Sequence, residues 1–104
     1  MMTLQIVSKQ KELLDEIATF LLHEQLIANA MISENVIYKE RNNGRIETTE
    51  QFLLKSITKS LLFSRINKKL RERYKERTPL IYSEPIILID PIQTEQIIAR
   101  LVKV

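Results

Sequence analysis

Alternating apolar and polar residues in the middle of the chain predict a long β-hairpin. Successive side chains of a strand point to opposite sides, so residues at even positions after residue 44 share one face. The members of that series are Ile46, Thr48, Phe52 and Leu54. Before them, the Asn42-Asn43-Gly44 segment offers residues that tolerate the positive φ of a tight turn. Glu50 interrupts the even series, so we expect the strand to bend or change neighbours there.

Apolar residues three and four positions apart predict two amphipathic helices. The first begins at a Ser8 cap and ends near Gln25. Its stripe consists of Leu13, Leu14, Ile17, Phe20 and Leu21. The second begins at a cap on Thr58 or Ser60 and ends before Pro79. Its stripe consists of Leu62, Phe63, Ile66, Leu70 and Tyr74.

Three further segments complete the predicted elements. Residues 3–7 form a first strand, and residues 26–32 enter the second strand ahead of a bulge at residues 33–35. Residues 80–89 form a fourth strand in which residues 86–89 are all apolar, a pattern typical of burial on both faces. Pro85 favours an edge position or a bulge there, and Thr94 caps a last short helix.

This order of elements predicts an α+β fold, a ferredoxin-like βαββαβ sandwich with a short C-terminal helix and a long central hairpin. Residues 1–104 are expected to form a single domain. Two helices cover only one face of such a sheet, yet Leu53 and Ile57 place apolar side chains on the other face as well. We therefore expect this second face to pack against other subunits. The alternative is that the C-terminal helix covers it.

Composition narrows the function classes. The chain is 44% hydrophobic and 28% charged, which is typical of a globular protein. It has no cysteine, which excludes disulfides, thiolate catalysis and cysteine zinc sites and suits a cytoplasmic protein. One glycine excludes a glycine-rich phosphate loop, and no nucleophile has a local base partner, so we expect no enzymatic activity. The N-terminus lacks signal-peptide features, and no apolar run is long enough to span a membrane.

Four segments of the chain resemble the CutA-type divalent-cation-tolerance family, whose members are trimers of this fold. Its Leu-Ala-Ala-Cys-like segment resembles Leu26-Ile27-Ala28-Asn29, and its Tyr…Gly-Lys-Ile turn resembles Tyr38…Gly44-Arg45-Ile46. Its Glu…Leu…Lys-Thr strand resembles Glu50, Leu53, Lys55 and Ser56. Its His-Pro-Tyr-x-x-Pro-x-Ile segment resembles Leu80-Ile81-Tyr82-Ser83-Glu84-Pro85-Ile86-Ile87.

The resemblance implies a homotrimer with a polar pocket between subunits that takes a small anion or a divalent metal ion such as copper. Matched by motif, Tyr38, Glu50, Lys55 and Tyr82 are the expected pocket residues. The chain departs from the family at the residue types that bind copper. Asn29 stands in place of the cysteine, Leu80 stands in place of the histidine, and tryptophan is absent.

His23 is the one histidine, with Glu24 beside it. One imidazole and one carboxylate fall short of the three or four ligands of a zinc site, so a solvated helix end is the favoured interpretation.

Two alternative functions belong to the same fold class. One is a small-molecule regulatory module of the PII-like signalling type. The other is an RNA-binding domain that uses the basic residues of segment 65–77. The Gly-aromatic strand signature of such RNA modules is absent, and a basic helix face is usually solvated, so nucleic acid is not the expected partner.

Overall fold

A computed structural model describes residues 1–104 and places four strands in one antiparallel sheet. The strands are β1 (Met2–Ser8), β2 (Met31–Asn42), β3 (Arg45–Thr58) and β4 (Leu80–Pro85), in the order β2-β3-β1-β4. The helices are α1 (Lys11–His23), α2 (Phe63–Tyr74) and α3 (Pro91–Ala99), with short 3₁₀ turns on either side of α2. The predicted ferredoxin-like βαββαβ fold with a short C-terminal helix is thus confirmed. None of the helices has the length and apolarity needed to cross a bilayer.

The central hairpin has the predicted turn. Asn43 has φ 52° and Gly44 has φ 77°, the left-handed values that a two-residue turn between Asn42 and Arg45 requires. A register shift between Ser33 and Val36 confirms the bulge, because two residues of β2, Glu34 and Asn35, lie opposite one residue of β3 there.

Beyond the end of β1 the hairpin leaves the rest of the sheet. β3 pairs with β1 only from Phe52 to Thr58, so residues 36–51 pair with each other alone. We call residues 36–51 the hairpin arm. The predicted change of neighbours at Glu50 is confirmed, since Glu50 lies just past the last residue of β3 that β1 contacts.

The core lies between the sheet and helices α1 and α2. Leu4 and Ile6 of β1 and Leu54 of β3 are fully buried on that face. The opposing helix residues are Leu14, Ile17, Leu21, Ile66 and Leu70. Leu26 and Ile27 belong to the same core but lie in the connection after α1, and β2 begins at Met31, near the end of the 26–32 segment that was predicted to enter it.

The predicted helix caps were wrong. α1 begins after Gln10, and the Ser8 hydroxyl accepts a hydrogen bond from the Gln10 N–H at 3.0 Å instead of capping the helix. The Thr58 hydroxyl donates to the Leu26 carbonyl at 2.6 Å and so joins β3 to the connection after α1. Asp90 caps α3 by accepting from the Gln93 N–H. Short polar side chains have several backbone partners within reach, and tertiary position decides among them.

β4 ends at Pro85, four residues earlier than predicted, where its pairing with β1 ends. Pro85 lies opposite Met2, the first residue of β1, and only one more bond follows, from Ile86 N–H to the Met1 carbonyl at 3.0 Å. Ile87 and Leu88 are 90% and 88% exposed, so the prediction that residues 86–89 are buried on both faces is wrong for the single chain.

The chain exposes more surface than a compact protein of its mass. Its accessible surface is 7147 Å², whereas a monomer of 12.3 kDa is expected to expose about 6,100 Å². Its radius of gyration is 14.6 Å, against about 13 Å for a compact domain of this length. The difference reflects an elongated shape of 47 × 29 × 21 Å, to which the unaccompanied hairpin arm contributes.

Candidate functional site

The face of the sheet turned away from α1 and α2 has no layer of helices over it. We call it the open face, formed by Thr3, Gln5, Val7, Met31, Ser33, Leu53, Lys55, Ile57, Leu80, Tyr82 and Glu84. Leu53 and Ile57 lie on it as predicted, alternating with the buried Leu54 and Ser56. Met31, Leu80 and Tyr82 are exposed, and large apolar groups together on one surface are unusual for a monomer.

The C-terminal segment leaves these side chains uncovered. The Val102 N–H donates to the Gln25 carbonyl at 2.9 Å, and Lys59 Nζ donates to the Val102 carbonyl at 2.8 Å. These two bonds hold the segment after α3 beside the ends of α1 and β3. The alternative in which α3 covers the open face therefore fails at Met31, Leu80 and Tyr82.

A row of polar side chains crosses the open face. Lys55 of β3 lies opposite Gln5 of β1, and Gln5 lies opposite Tyr82 of β4. The Tyr82 hydroxyl donates to Gln5 Oε1 at 2.9 Å, and Gln5 Nε2 donates to Glu84 Oε1. Gln5 is only 5% exposed, so its amide is fixed by these two bonds.

Sequence reasoning missed Gln5. The available signal was a polar amide inside the apolar Leu4-Gln5-Ile6-Val7 run, where a buried amide needs hydrogen-bond partners.

A cleft of about 410 Å³ lies where β1 ends and the hairpin arm begins. We call it the end cleft, lined by Val7, Ser8, Lys9, Gln10, Leu13, Tyr38, Glu40, Gln51, Arg77, Pro79 and Leu80. Two cations, Lys9 and Arg77, and one carboxylate, Glu40, line it. The first turn of α1 begins beside it, and helix N-termini favour anions. The end cleft is therefore better suited to an anion than to a metal cation.

The structure separates the four predicted pocket residues into three places. Lys55 and Tyr82 both belong to the polar row, where they lie on either side of Gln5. Tyr38 lines the end cleft, where its hydroxyl lies 3.4 Å from Glu40 Oε2. Glu50 lies on the opposite face of the hairpin arm, in register with Ile37 and exposed. One chain therefore does not bring Glu50 and Lys55 together.

Within one chain, the residues present do not form a metal site. No three His, Asp or Glu side chains converge within the chain. His23 lies on α1 in a shallow depression with Asp15, Glu16 and Arg73, and a guanidinium there opposes a bound cation. Asn29 Oδ1 already accepts a hydrogen bond from the Ile57 N–H at 2.8 Å, so this residue fastens the start of β2 to the end of β3.

Two ionisable groups have shifted pKa values, and both are explained by contacts between elements. Burial raises the pKa of the Tyr74 hydroxyl, which also donates to Glu16 of α1 at 2.6 Å. A hydrogen bond to Glu34, at 2.8 Å, raises the pKa of Lys11 and links the start of α1 to the bulge of β2. Neither Tyr74 nor Lys11 lies in the end cleft or in the polar row.

No protein-family model matches the chain, and neither does any curated protein. Solved structures do match it over nearly its whole length. A variant of CutA1 from Pyrococcus horikoshii OT3 is 19% identical with a TM-score of 0.88, covering 99% of this chain and 100% of that one. CutA1 from Oryza sativa is 16% identical with a TM-score of 0.89, covering 99% and 94%.

A third match is the periplasmic divalent cation tolerance protein CutA from Archaeoglobus fulgidus, 23% identical with a TM-score of 0.85. It covers 96% of this chain and 98% of that one. The chain therefore has the fold of the CutA divalent cation tolerance proteins, as the resemblance implied. At these identities the likeness concerns the fold.

Proposed function

We propose that the protein is a CutA-like homotrimer without enzymatic activity, in which three open faces pack together and each end cleft binds a small anion. The carrying observation is the exposed apolar surface on the open face of a sheet whose other face packs against α1 and α2. The fold shared with CutA proteins supports this arrangement.

The single chain exposes more surface than a compact monomer, as is expected of a subunit that packs against copies of itself. The chain exposes 7147 Å², about 1,000 Å² more than a compact monomer of its mass. A stable interface of standard size buries about 800 Å² on each partner. In a cyclic trimer each chain takes part in two interfaces, so the excess corresponds to about one of the two.

Residues 86–89 support the same proposal. This segment continues β4 beyond its last neighbour in the sheet, and it carries four aliphatic side chains in succession. Ile87 and Leu88 are almost fully exposed in the single chain. Exposed apolar segments of this kind are an aggregation hazard, so we propose that a neighbouring subunit covers this one.

The proposed ligand is an anion because of the charges that line the end cleft. Lys9 and Arg77 attract an anion, whereas the copper-binding residue types expected from the family are replaced by Asn29 and Leu80. A regulatory module of the PII-like type also falls under this proposal if the anion is a nucleotide. RNA is not favoured, because Tyr82 is the one aromatic side chain on the open face and RNA modules stack two or three bases.

The assembly is tested by the mass in solution. We expect light scattering to give three times the 12.3 kDa of the chain, unchanged on dilution through the micromolar range. A particle with the mass of one chain at high concentration would remove the proposed trimer.

The ligand is tested by titration calorimetry with inorganic phosphate, ADP and Cu²⁺. We expect heat with at least one of the two anions and none with Cu²⁺. Arg77→Ala is expected to weaken anion binding by at least tenfold, since a hydrogen bond to a charged group contributes about 1.5–3 kcal/mol.

The matched control is Arg65→Ala, because Arg65 is an exposed cation of α2 that does not line the end cleft. Equal losses in both variants indicate nonspecific attraction to a basic protein. Heat with Cu²⁺ alone contradicts the anion proposal.

A further inference from the structure

The open face carries two charged side chains, Lys55 and Glu84, among apolar and neutral polar ones. Neither is part of an ion pair within the chain, where the three pairs are Lys11–Glu34, Lys69–Glu24 and Arg73–Glu16. Lys55 is half-buried in β3, and Glu84 is exposed in β4. A surface that packs against copies of itself therefore presents one unpaired cation and one unpaired anion.

The register keeps these two charges apart in the single chain. Lys55 lies opposite Gln5, whereas Glu84 lies opposite Thr3, so the strand β1 separates them and they are also displaced along the sheet. Two strand spacings amount to about 10 Å, well beyond the length of an ion pair.

Gln5 holds Glu84 in a defined position. Its Nε2 donates to Glu84 Oε1, while its own Oε1 accepts from the Tyr82 hydroxyl. Glu84 Oε2 has no hydrogen-bond partner in the chain, and Lys55 Nζ has none either. Because Gln5 is nearly fully buried, the free oxygen is presented outward from a rigid support.

We propose that Lys55 of one subunit forms an ion pair with Oε2 of Glu84 of the partner subunit, and that this pair sets the register of the assembly. The proposal rests on the homotrimer proposed above. Covering either charge without a partner is strongly unfavourable, so each needs an opposite charge if the open faces are buried, and the open face itself offers one of each sign. Cyclic symmetry allows this, because each interface joins a different patch from each copy and is repeated around the ring.

Charge reversal tests the pair. Lys55→Glu and Glu84→Lys each place like charges together at every interface, and we expect at least a tenfold higher concentration for half-assembly. The double variant with both substitutions restores opposite charges, and we expect its half-assembly concentration to return to within about threefold of the original. Circular dichroism confirms that each variant is folded, and Glu84→Gln, which keeps the side-chain shape, is expected to weaken assembly in the same direction.

Mixing the two single variants distinguishes pairing between subunits from pairing within one chain. A mixed trimer has two interfaces with opposite charges and one with like charges, whereas each variant alone has three with like charges. Equimolar mixing is therefore expected to increase the assembled fraction. If the pair formed within one chain during assembly, mixing would bring no gain.

The outcomes separate this inference from the proposal on which it rests. A monomeric parent protein overturns the homotrimer and the pair together. A trimeric parent whose single charge reversals assemble normally, or whose double variant stays dissociated, overturns the pair alone. A double variant that assembles while mixed single variants do not also overturns it, because the partner charge then comes from the same chain.

Discussion

Replacing Met31 with lysine is expected to dissociate the proposed trimer into single folded chains. Met31 is 56% exposed in the single chain and lies in register with Lys55 on the open face. In the assembly, the new lysine would be buried beside Lys55, and the two ammonium groups would share one carboxylate, that of Glu84. A buried, uncompensated charge costs about 3–5 kcal/mol, which corresponds to more than a hundredfold loss of affinity at each interface. Light scattering over a concentration series measures the effect.

Leu22→Lys is the matched control. Leu22 is 42% exposed and lies on α1, which packs on the other face of the sheet, so the same charge is added at an apolar and exposed position outside the open face. We expect this variant to keep the parent mass. If Met31→Lys stays assembled, or if both variants dissociate equally, the open face is not the interface.

Replacing Leu54 with alanine is expected to lower the stability of every subunit. Leu54 is fully buried in the middle of β3, between the sheet and the two long helices. Truncating a buried leucine costs about 2–5 kcal/mol through lost burial and the remaining cavity. For a domain of this size, we expect the melting temperature to fall by more than about 10 °C. Thermal unfolding followed by circular dichroism measures this change.

The adjacent Leu53→Ala variant provides the comparison, because Leu53 points to the open face. For Leu53→Ala we expect a smaller decrease in the stability of the single chain than for Leu54→Ala, together with weaker assembly. Its mass in solution should fall on dilution over a range in which the parent stays assembled, since the lost apolar contact lies at the interface. A larger loss of subunit stability in Leu53→Ala than in Leu54→Ala would contradict the assignment of faces.

At two positions, Asn29 and Leu80, this chain lacks the cysteine and the histidine of the CutA motifs that it resembles. Asn29 uses its amide oxygen to bind the backbone of β3, and Leu80 adds an apolar side chain to the rim of the end cleft. A chain can therefore keep this fold when the residues at these two positions make structural contacts. This is why the anion proposal depends on the cations Lys9 and Arg77 and not on the family's metal chemistry.

The hairpin could be predicted because its determinants are local. Gly44 is the only glycine, and it occupies a turn position with φ 77° that strongly favours glycine. The bulge before Val36 and the change of neighbours at Glu50 were likewise visible as interruptions of a period-two pattern. The apolar stripes of α1 and α2 form the core faces of these helices. Apolar residues that recur with a period of 3.6 lie on one side of a helix, and that side packs against the sheet.

The candidate site was harder to predict because it is assembled from distant segments. The end cleft joins the end of β1, the start of α1, the hairpin arm and the start of β4, and Lys9 and Arg77 are far apart in sequence. Gln5 acquires its importance only through Tyr82 and Glu84, which are nearly 80 residues away. Motif matching selected Lys55 and Tyr82, which lie on the open face, together with Glu50, which faces the other way.

The sequence by itself determined the order of elements, the turn, and which side of each helix and strand is apolar, because backbone dihedral preference and side-chain periodicity act over a few residues. The tertiary structure decided where the strands end and which side chains are buried. Residues 86–89 are aliphatic enough for a buried strand, yet the pairing of β4 with β1 ends where Pro85 lies opposite Met2. Pairing and burial depend on a second segment being present, and that information lies elsewhere in the chain or in another copy of it.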